Sequence, residues 1–312
     1  MRYISGEEIH RVLTFSAVVQ AMEAAHRRPR MESGDLSLGD EKAHYFVRSA
    51  IDRGRAIGSK LFTSFPDNLA SSHGLPAVQA AYVLFDGGNG RPLAVLDGTA
   101  ITWWKTAADS ALGARLLAPP APRTLVMVGA GAMASWLIRA HRYARPSLER
   151  VLVWNRTPER ADSLVDRLRR DGIAAASTAD LEAAIRQADV ITSATRARAP
   201  LIRGDWLQPG VHLDLVGGYT PQTREADDEA ARRARIFVDR RESAFHGVGD
   251  ILQPIASGAI RKEDVLADLY DLIGGGAPGR TGSRDITLFK NAGGGHLDLM
   301  TAQAVLSQLD AA

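Results

Sequence analysis

The segment from Thr124 to Thr157 constrains the fold of this 312-residue chain more than any other segment. An apolar run at 125–128 leads directly into the glycine-containing turn GAGAMA at 129–134, and a helical pattern of apolar residues follows. A second apolar run at 151–154 closes the segment. Strand, glycine turn, helix and strand in this order are typical of a βαβ unit.

The turn between the first strand and the helix has the pattern of a dinucleotide-binding motif. Gly129 permits a tight turn, Gly131 lets bare backbone approach a pyrophosphate, and Ala134 is small enough for close helix packing. The N–H groups that open the helix then face the anion. The strand before the motif and the helix after it favour cofactor binding over a purely structural turn. The predicted cofactor contacts here are Gly129, Ala130, Gly131, Ala132 and Met133.

The end of the second strand indicates which dinucleotide binds. An NAD site usually carries an acidic residue there, about twenty residues after the glycines, for the ribose hydroxyls. This chain instead has Asn155, Arg156 and Thr157, with Arg160 soon after them. A guanidinium, a hydroxyl and an amide can hold a 2′-phosphate that an acid would repel. The sequence therefore favours NADP, and NAD remains possible if the arginines are only solvated.

Strands alternate with helices from 120 to 289, which predicts an α/β domain with a doubly wound parallel sheet of Rossmann type. Within it we expect a charged helix at 221–234, a helix at 266–269 and a last strand at 286–290. Three further cofactor contacts are predicted at or near the ends of strands in this domain: Thr195, Val216 and Lys290.

The rest of the chain predicts a second domain of the α+β class. Apolar residues at helical spacing fill 1–30, and the polar stretch at 30–40 indicates a loop or a hairpin. Short β-rich runs separated by turn residues occupy 44–96, and an Ala-rich helix is expected at 102–117. A final helix at 296–310 follows three glycines.

Composition excludes several functions. Formal charge is only +2, so no nucleic-acid partner is expected, and the absence of cysteine excludes thiol catalysis and disulfides. No cluster of His, Asp and Glu has the spacing of metal ligands, so no metal is predicted. The N-terminal segment lacks the apolar core of a signal peptide, and no apolar run is long enough to span a membrane. A cytoplasmic enzyme without a membrane partner is the expectation.

Several stretches together resemble the ornithine cyclodeaminase/mu-crystallin family, and the resemblance covers nearly the whole chain. They are Gly58–Lys60 with Phe65–Asn68, Asp97–Gly98 with Ile101–Thr102, Lys105–Ala111, the GAGAMA turn, Val216–Gly218 and Asp285–Lys290. The resemblance implies a homodimer in which the N-terminal part and the last helix form one domain. It predicts a substrate-binding and dimerisation domain at 1–119 and 290–312, and an NAD(P)-binding Rossmann domain at 120–289.

The family grips the carboxylate of a small amino or imino acid with cations. Lys60 matches the family's lysine, and Lys105 lies where the family usually has arginine. Arg30 is matched to an early arginine of the family, and Arg48, on a predicted strand of the same domain, is a further candidate. An arginine guanidinium can donate two parallel hydrogen bonds to a carboxylate, whereas the ammonium of a lysine at position 105 acts as a point charge. Binding of the substrate carboxylate is therefore less directional.

One departure from the family bears on the reaction. Ornithine cyclodeaminases have an aspartate after the Gly-Gly of the fifth strand, whereas Tyr219 follows Gly218 here, and Asp214 earlier in the strand is expected to face the sheet. A phenol is a poor proton acceptor at neutral pH, so cyclodeamination is disfavoured.

The leading hypothesis is NAD(P)H-dependent reduction of a cyclic ketimine carboxylate, with Lys60 and Tyr219 as catalytic candidates. Ornithine cyclodeaminase, an alanine-type dehydrogenase and a non-enzymatic NADPH-binding protein are the alternatives. Trp103 and Trp104 either wall a ring pocket or pack in the core.

Overall fold

The computed structural model describes residues 1–69 and 74–311. The chain divides into two compact units, unit 1 with Met1–Thr106 and Gly294–Ala312, and unit 2 with Ala107–Gly293. The predicted functional domains, 1–119 with 290–312 and 120–289, stay a prediction. None of the helices within the described residues is both long and apolar enough to cross a membrane.

Unit 1 contains a largely antiparallel sheet. Its strands are β1 (Arg2–Ile4), β2 (Glu32–Gly39), β3 (His44–Asp52), β4 (Ala56–Ser64), β5 (Val78–Asp86) and β6 (Pro92–Asp97). Across the described residues the strand order is β1-β6-β5-β4-β3-β2, and only the pairing of β1 with β6 is parallel. Asp86 Oδ1 accepts from the N–H groups of Gly88 and Asn89, which fixes the turn between β5 and β6. The strands predicted within 44–96 are therefore confirmed.

The stretch at 30–40, predicted as a loop or hairpin, contains strand β2, which pairs antiparallel along its whole length with β3. All eight residues of β2 are exposed. Its two glycines and two acidic residues are of types that are depleted in strands, so the segment has the composition of a loop. Backbone pairing at the edge of the sheet, rather than side-chain burial, thus defines β2.

The helices of unit 1 are α1 (Gly6–Val12), α2 (Phe15–His26), the first part of α3 (Gly98–Leu117) and the last helix, α11 (Gly295–Ala311). Helix α3 starts earlier than predicted, because Asp97 Oδ1 accepts from the N–H groups of Thr99 and Ala100 and so caps its first turn. Helix α11 packs on α2, β3 and β4 and is buried along most of its length. The predicted final helix is therefore confirmed and is central to unit 1.

Unit 2 contains a parallel sheet, as predicted. Its strands are β7 (Thr124–Val128), β8 (Arg150–Trp154), β9 (Ala175–Ser177), β10 (Val190–Ser193), β11 (His212–Leu215), β12 (Arg235–Val238), β13 (Val265–Asp268) and β14 (Thr287–Lys290). For the described residues the order is β13-β12-β14-β11-β10-β7-β8-β9. The chain runs from β7 outward to β9 and then returns to β10 on the other side of β7. This reversal is the switch point of a doubly wound sheet, where such folds bind ligands.

The helices of unit 2 after α3 are α4 (Ala134–Ala144), α5 (Pro158–Arg170), α6 (Leu181–Arg186), α7 (Asp228–Arg233), α8 (Arg241–Ala244), α9 (Gly249–Ala256) and α10 (Leu269–Ile273). The prediction of a helix at 221–234 is wrong for its first part, because Asp227 caps α7 and the residues before it form a turn and an irregular segment, with Ala226 bridging to Ile202. The prediction of a helix at 266–269 is wrong for 266–268, which belong to β13, whereas Leu269 is the first residue of α10. Asp268 ends β13 and caps α10, so the helical signal belongs to the following residues.

A buried carboxylate joins the centre of the unit 2 sheet to its helices. Asp214 on β11 accepts hydrogen bonds from Ser110 Oγ, His141 Nε2 and Thr192 Oγ1, at 3.1, 2.9 and 2.7 Å. Burial acts to raise the pKa of Asp214, but the hydrogen bonds from His141 and Thr192 and the charge of His141 outweigh it, and the pKa lies below its ordinary value. Asp214 therefore has a structural role inside unit 2, as the sequence indicated.

Candidate functional site

Two of the cations predicted to bind a carboxylate, Arg48 and Lys60, lie on the sheet of unit 1. Arg48 on β3 is directly opposite Lys60 on β4, which is in turn opposite Tyr82 on β5. Opposed residues of neighbouring strands point to the same face of a sheet, so these side chains form a row. Phe46 and Phe62, also opposite each other on that face, have ring centroids 5.0 Å apart. This face thus combines cationic and aromatic side chains.

Lys60 is the centre of a hydrogen-bonded cluster although its side chain is almost fully buried. Its Nζ donates to Asp298 Oδ1 on α11 at 2.9 Å and to Thr102 Oγ1 on α3 at 3.4 Å. Thr102 donates its own hydroxyl hydrogen to the carbonyl of Gly98 at 2.7 Å, so its oxygen can accept from the ammonium. An ammonium has three donors, and the described residues use two of them. One N–H of Lys60 is therefore available to a ligand.

The pKa of Lys60 is lowered to about 8. Burial is the main cause, because the ammonium loses its hydration. The charge of Asp298 raises the pKa of Lys60, whereas the charges of Lys105 and Arg48 lower it. At neutral pH the side chain is still mostly protonated, but it releases a proton more readily than an exposed lysine does.

Lys105 adds a second buried amine near Lys60. It lies on α3 one turn after Thr102, its exposed fraction is 5%, and it has no ion-pair partner among the residues that the structure describes. Of these two buried ammonium side chains, only Lys60 has an ion-pair partner within the described residues. Buried charge is costly unless it is paired. This cluster is suited to a small anion such as a carboxylate.

The two arginines predicted to bind substrate are placed differently. The Arg48 guanidinium is engaged by Asp35 on β2, with Nε 3.2 Å and Nη2 3.0 Å from Oδ2. Arg30 is exposed in the segment between α2 and β2. Arg48 therefore lies beside Lys60, but its guanidinium is already paired with Asp35. The role of Arg30 in substrate binding stays a prediction.

Two of the aromatic candidates, Trp103 and Trp104, contact His10 of helix α1. Trp104 Nε1 donates to His10 Nδ1 at 3.0 Å, and Trp103 stacks on the same imidazole with centroids 5.8 Å apart. These contacts place the two tryptophans in the packing of unit 1. Tyr219 belongs to unit 2 and is 57% exposed, and its catalytic role stays a prediction.

The GAGAMA turn of unit 2 uses its two glycines in different ways. Gly129 has a φ of +104°, and a Cβ there would lie 2.9 Å from the carbonyl oxygen of Ala194. The fold itself therefore requires glycine at 129. A Cβ at Gly131, by contrast, would meet no protein atom within 4 Å. Space beside Gly131 suits a ligand that approaches the backbone closely.

The start of helix α4 is also suited to an anion. Met133 occupies the N-cap position and makes no side-chain hydrogen bond to the first turn, so the N–H groups there can bind a phosphate. Asn155 supports the turn, because its Oδ1 accepts from Ala130 N–H at 3.1 Å and its Nδ2 donates to the carbonyl of Thr157 at 2.8 Å. Arg156 and Arg160 are exposed at the start of α5 and are available to a phosphate group.

The other predicted cofactor contacts lie in a buried polar network at the ends of β10, β11 and β14. Glu225 Oε1 accepts from the N–H and the hydroxyl of Thr195, and its Oε2 accepts from Gly217 N–H, next to Val216. Burial, followed by the nearby charge of Asp250, raises the pKa of Glu225. Lys290 Nζ is fully buried and donates to Asp250 Oδ2 at 3.0 Å. Lys290 is thus engaged inside unit 2, and its contact with a cofactor stays a prediction.

Sequence reasoning missed the carboxylates that complete these clusters. Asp298 left a signal, because a charged residue between leucines in an apolar helix must be buried with a partner. The sequence around Glu225 does not indicate that this residue is buried, because it lies in a charged segment with the composition of a solvated surface. Asp250 pairs with Lys290, 40 positions along the chain, and such long-range pairing is not visible without the fold.

We predict that Gly131→Ala weakens binding of NADPH or NADH about tenfold or more, equivalent to about 1.4 kcal/mol, without lowering Tm. The new methyl group contacts no protein atom but occupies the space that a pyrophosphate needs. Fluorescence titration and thermal unfolding measure the two effects. Gly129→Ala is the matched control, and it should lower Tm because the fold itself excludes a Cβ there. Unchanged nucleotide affinity in Gly131→Ala would contradict this assignment.

Proteins of known sequence and structure are similar to the chain over nearly its whole length. The Δ1-pyrroline-2-carboxylate reductase of Paracoccus denitrificans is 46% identical over 94% of this chain and 92% of its own. The Thermococcus litoralis Δ1-pyrroline-2-carboxylate reductase, solved with NADH and L-proline, is 27% identical with a TM-score of 0.92, covering 100% of this chain and 98% of its own. An archaeal alanine dehydrogenase dimer with bound NAD is 28% identical, also with a TM-score of 0.92, covering 100% and 96%.

The model of the ornithine cyclodeaminase/mu-crystallin family matches residues 17–311. This match covers both units and confirms the resemblance read from the sequence motifs. The chain therefore belongs to the ornithine cyclodeaminase/mu-crystallin family.

Proposed function

We propose that this chain reduces a small cyclic ketimine carboxylate with a reduced nicotinamide nucleotide. The substrate would be Δ1-pyrroline-2-carboxylate or Δ1-piperideine-2-carboxylate, and the product L-proline or L-pipecolate. The observation that carries the proposal is the pair of buried lysines, Lys60 and Lys105, of which only Lys60 has an ion-pair partner among the described residues. A substrate carboxylate balances the remaining positive charge. The 46% identity with a Δ1-pyrroline-2-carboxylate reductase supports this choice of substrate.

The reaction asks for little beyond orientation and protonation. The reduced nicotinamide supplies a hydride to the imine carbon, and the imine nitrogen must carry a proton to become the amine. The unused N–H of Lys60 binds the substrate and holds it in one orientation. With its pKa near 8, the same ammonium can also supply a proton at neutral pH. Burial of the cluster keeps water from competing for these groups.

We predict that the protein oxidises NADPH or NADH when given either cyclic imine, and that Lys60→Gln lowers kcat/KM about 10- to 100-fold or more. The estimate corresponds to loss of one charge-assisted hydrogen bond in a buried site. Nucleotide oxidation followed by absorbance measures the effect. Lys42→Gln, a change at an exposed lysine of the same unit, is the matched control and should leave kcat/KM unchanged.

The alternative functions give different results in the same assay. Ammonia release from ornithine, without imine reduction, would indicate a cyclodeaminase. Nucleotide oxidation with pyruvate that requires ammonium would indicate an alanine-type dehydrogenase, which the similarity to the archaeal enzyme keeps as the second candidate. Binding of nucleotide and imine without turnover would indicate a binding protein. Any of these results would replace the proposed reaction.

We also propose that NADP is preferred to NAD. Arg156 and Arg160 are exposed where the chain leaves β8, and the three residues directly after β8, 155–157, include no acidic residue to bind ribose hydroxyls. We predict that Arg156→Ala raises KM for NADPH about tenfold, the effect of losing one charged contact to a phosphate, and leaves KM for NADH unchanged. Arg170→Ala, at the far end of α5, is the control. A wild-type preference for NADH, the nucleotide in the Thermococcus structure, would contradict the proposal.

The protein acts as a homodimer in this proposal. Leu36, Leu38 and Tyr45 are 50%, 52% and 37% exposed, and they lie with Val47 on one face of the β2–β3 pair. This is the face opposite to Lys60, and exposed apolar patches mark interaction surfaces. The archaeal alanine dehydrogenase is a dimer.

We predict a dimer by light scattering, converted to monomer by the double change Leu36→Asp and Leu38→Asp because charges on this face oppose its burial. Leu266→Asp, at an exposed leucine of unit 2, is the matched control and should leave the dimer intact. A monomeric wild-type protein would exclude the proposed assembly.

A further inference from the structure

Asp298 is a wholly buried carboxylate to which the proposed reaction assigns no step. Its Oδ1 accepts from Lys60, and its Oδ2 has no hydrogen bond within the described residues. The Tyr82 hydroxyl is likewise buried without a hydrogen bond among them. It fits into a notch in the sheet, because a Cβ at Gly58 would lie only 2.2 Å from it. Burial, followed by the charge of Asp298, holds the pKa of Tyr82 well above its ordinary value. The phenol therefore stays neutral and supplies no negative charge that could pair with the Lys60 ammonium.

The approach of helix α11 to the sheet puts Asp298 in place. Gly295, the first residue of α11, sits so close to β3 that a Cβ would lie 2.7 Å from the carbonyl oxygen of Ser49 and 3.2 Å from Arg48 Cγ. Asp298 follows three positions later and so faces the same direction from the helix. The glycine run that precedes α11 therefore brings the carboxylate within reach of Lys60.

The charged groups around Lys60 act in opposite directions. On β3, the charge of Arg48 lowers the pKa of Lys60, although the ion pair of Arg48 with Asp35 on β2 partly offsets that charge. On α3, Lys105 opposes it as well. On β5, Tyr82 is neutral, and on α11 Asp298 alone favours the ammonium.

We propose that Asp298 is a positioning residue that keeps Lys60 protonated and directed at the substrate, and so sets the alkaline limit of the activity. The inference rests on the proposed function of Lys60 in imine reduction. Without the Asp298 charge, burial and the neighbouring cations all favour the neutral amine. A neutral Lys60 neither attracts the substrate carboxylate nor supplies a proton.

The first test is the pH dependence of kcat/KM between about pH 6 and 10, the range spanned by a lysine whose pKa is lowered by burial. Wild-type activity should fall above about pH 8, the pKa of Lys60. Asp298→Asn should move this limb to lower pH by about 1 to 3 units, the effect expected from losing an adjacent opposite charge. Titration of the substrate is common to all variants, so a difference between them belongs to the protein. An unmoved limb would overturn the inference.

Three further variants separate charge from structure. Asp35→Asn removes a carboxylate that is 44% exposed and should move the limb much less, because solvent screens it. Asp298→Glu retains the charge and should keep the limb near that of wild type, even if packing lowers kcat. Lys60→Arg should remove the limb, since arginine stays charged throughout this range. A limb that persists in Lys60→Arg would assign it to another group and overturn the inference.

A measurement without turnover distinguishes failure of this inference from failure of the proposed function. The chain has only five lysines, so NMR titration of isotope-labelled lysine side chains can follow Lys60 directly. The pKa of Lys60 should be lower in Asp298→Asn than in wild type. If the pKa of Lys60 is lower in Asp298→Asn but the wild type reduces no cyclic imine, the proposed function is wrong, whereas the effect of Asp298 on Lys60 is confirmed. If imines are reduced and the Lys60 pKa is unchanged, Asp298 does not have this role.

Discussion

A lysine ammonium can be buried only where other groups replace the water it loses, and unit 1 meets this requirement at Lys60. The carboxylate comes from α11, a hydroxyl comes from α3, and the lysine itself comes from the middle of the sheet. Elements far apart in the sequence must therefore pack closely at one point. Gly295 and Gly98 allow this, because a Cβ at either position would contact the backbone of a neighbouring strand. Glycine at these two positions thus permits the close packing in which the ion pair forms.

The use of lysine in this chain supports the same interpretation. Only five of its 38 basic side chains are lysine, and three of these, Lys60, Lys105 and Lys290, are buried. Most arginines of the described residues are more exposed, although Arg224 and Arg240 are also buried. A buried site whose charge must respond to its neighbours needs lysine, because arginine does not lose its proton in proteins. Lysine at position 105, where the family resemblance predicts arginine, fits this pattern because its buried ammonium opposes a positive charge on Lys60.

Much of the fold was predictable from the sequence, and the failures have physical causes. The nucleotide-binding unit was found because buried parallel strands are continuous apolar runs and the glycine turn has a distinctive pattern. Strand β2 was not recognised as a strand because its glycines and acidic residues give it the composition of a loop. The helix at 221–234 was too long because Glu225 in that charged run is fully buried, as a partner of Thr195 and Gly217. Lys60 and Lys105 were found from motifs, whereas Asp298 required the packing of α11 on the sheet.

The carboxylates of unit 2 bear on the choice between reduction and cyclodeamination. Ornithine cyclodeaminases present an aspartate after the Gly-Gly motif, and in this chain Tyr219 takes that position. The carboxylates nearest the motif cannot substitute for it. Glu225 accepts hydrogen bonds through both oxygens, and Asp250 is held between Lys290 and the N–H of Glu225.

Asp250 lies directly behind the motif, since a Cβ at Gly218 would be only 2.1 Å from its Oδ2. This close packing of buried, hydrogen-bonded carboxylates maintains the backbone at the ends of β10 and β11. It leaves none of them to bind a second amine of the substrate. A substrate with a single carboxylate and a ring nitrogen requires no such group, which is why the arrangement of unit 2 favours reduction of a cyclic imine.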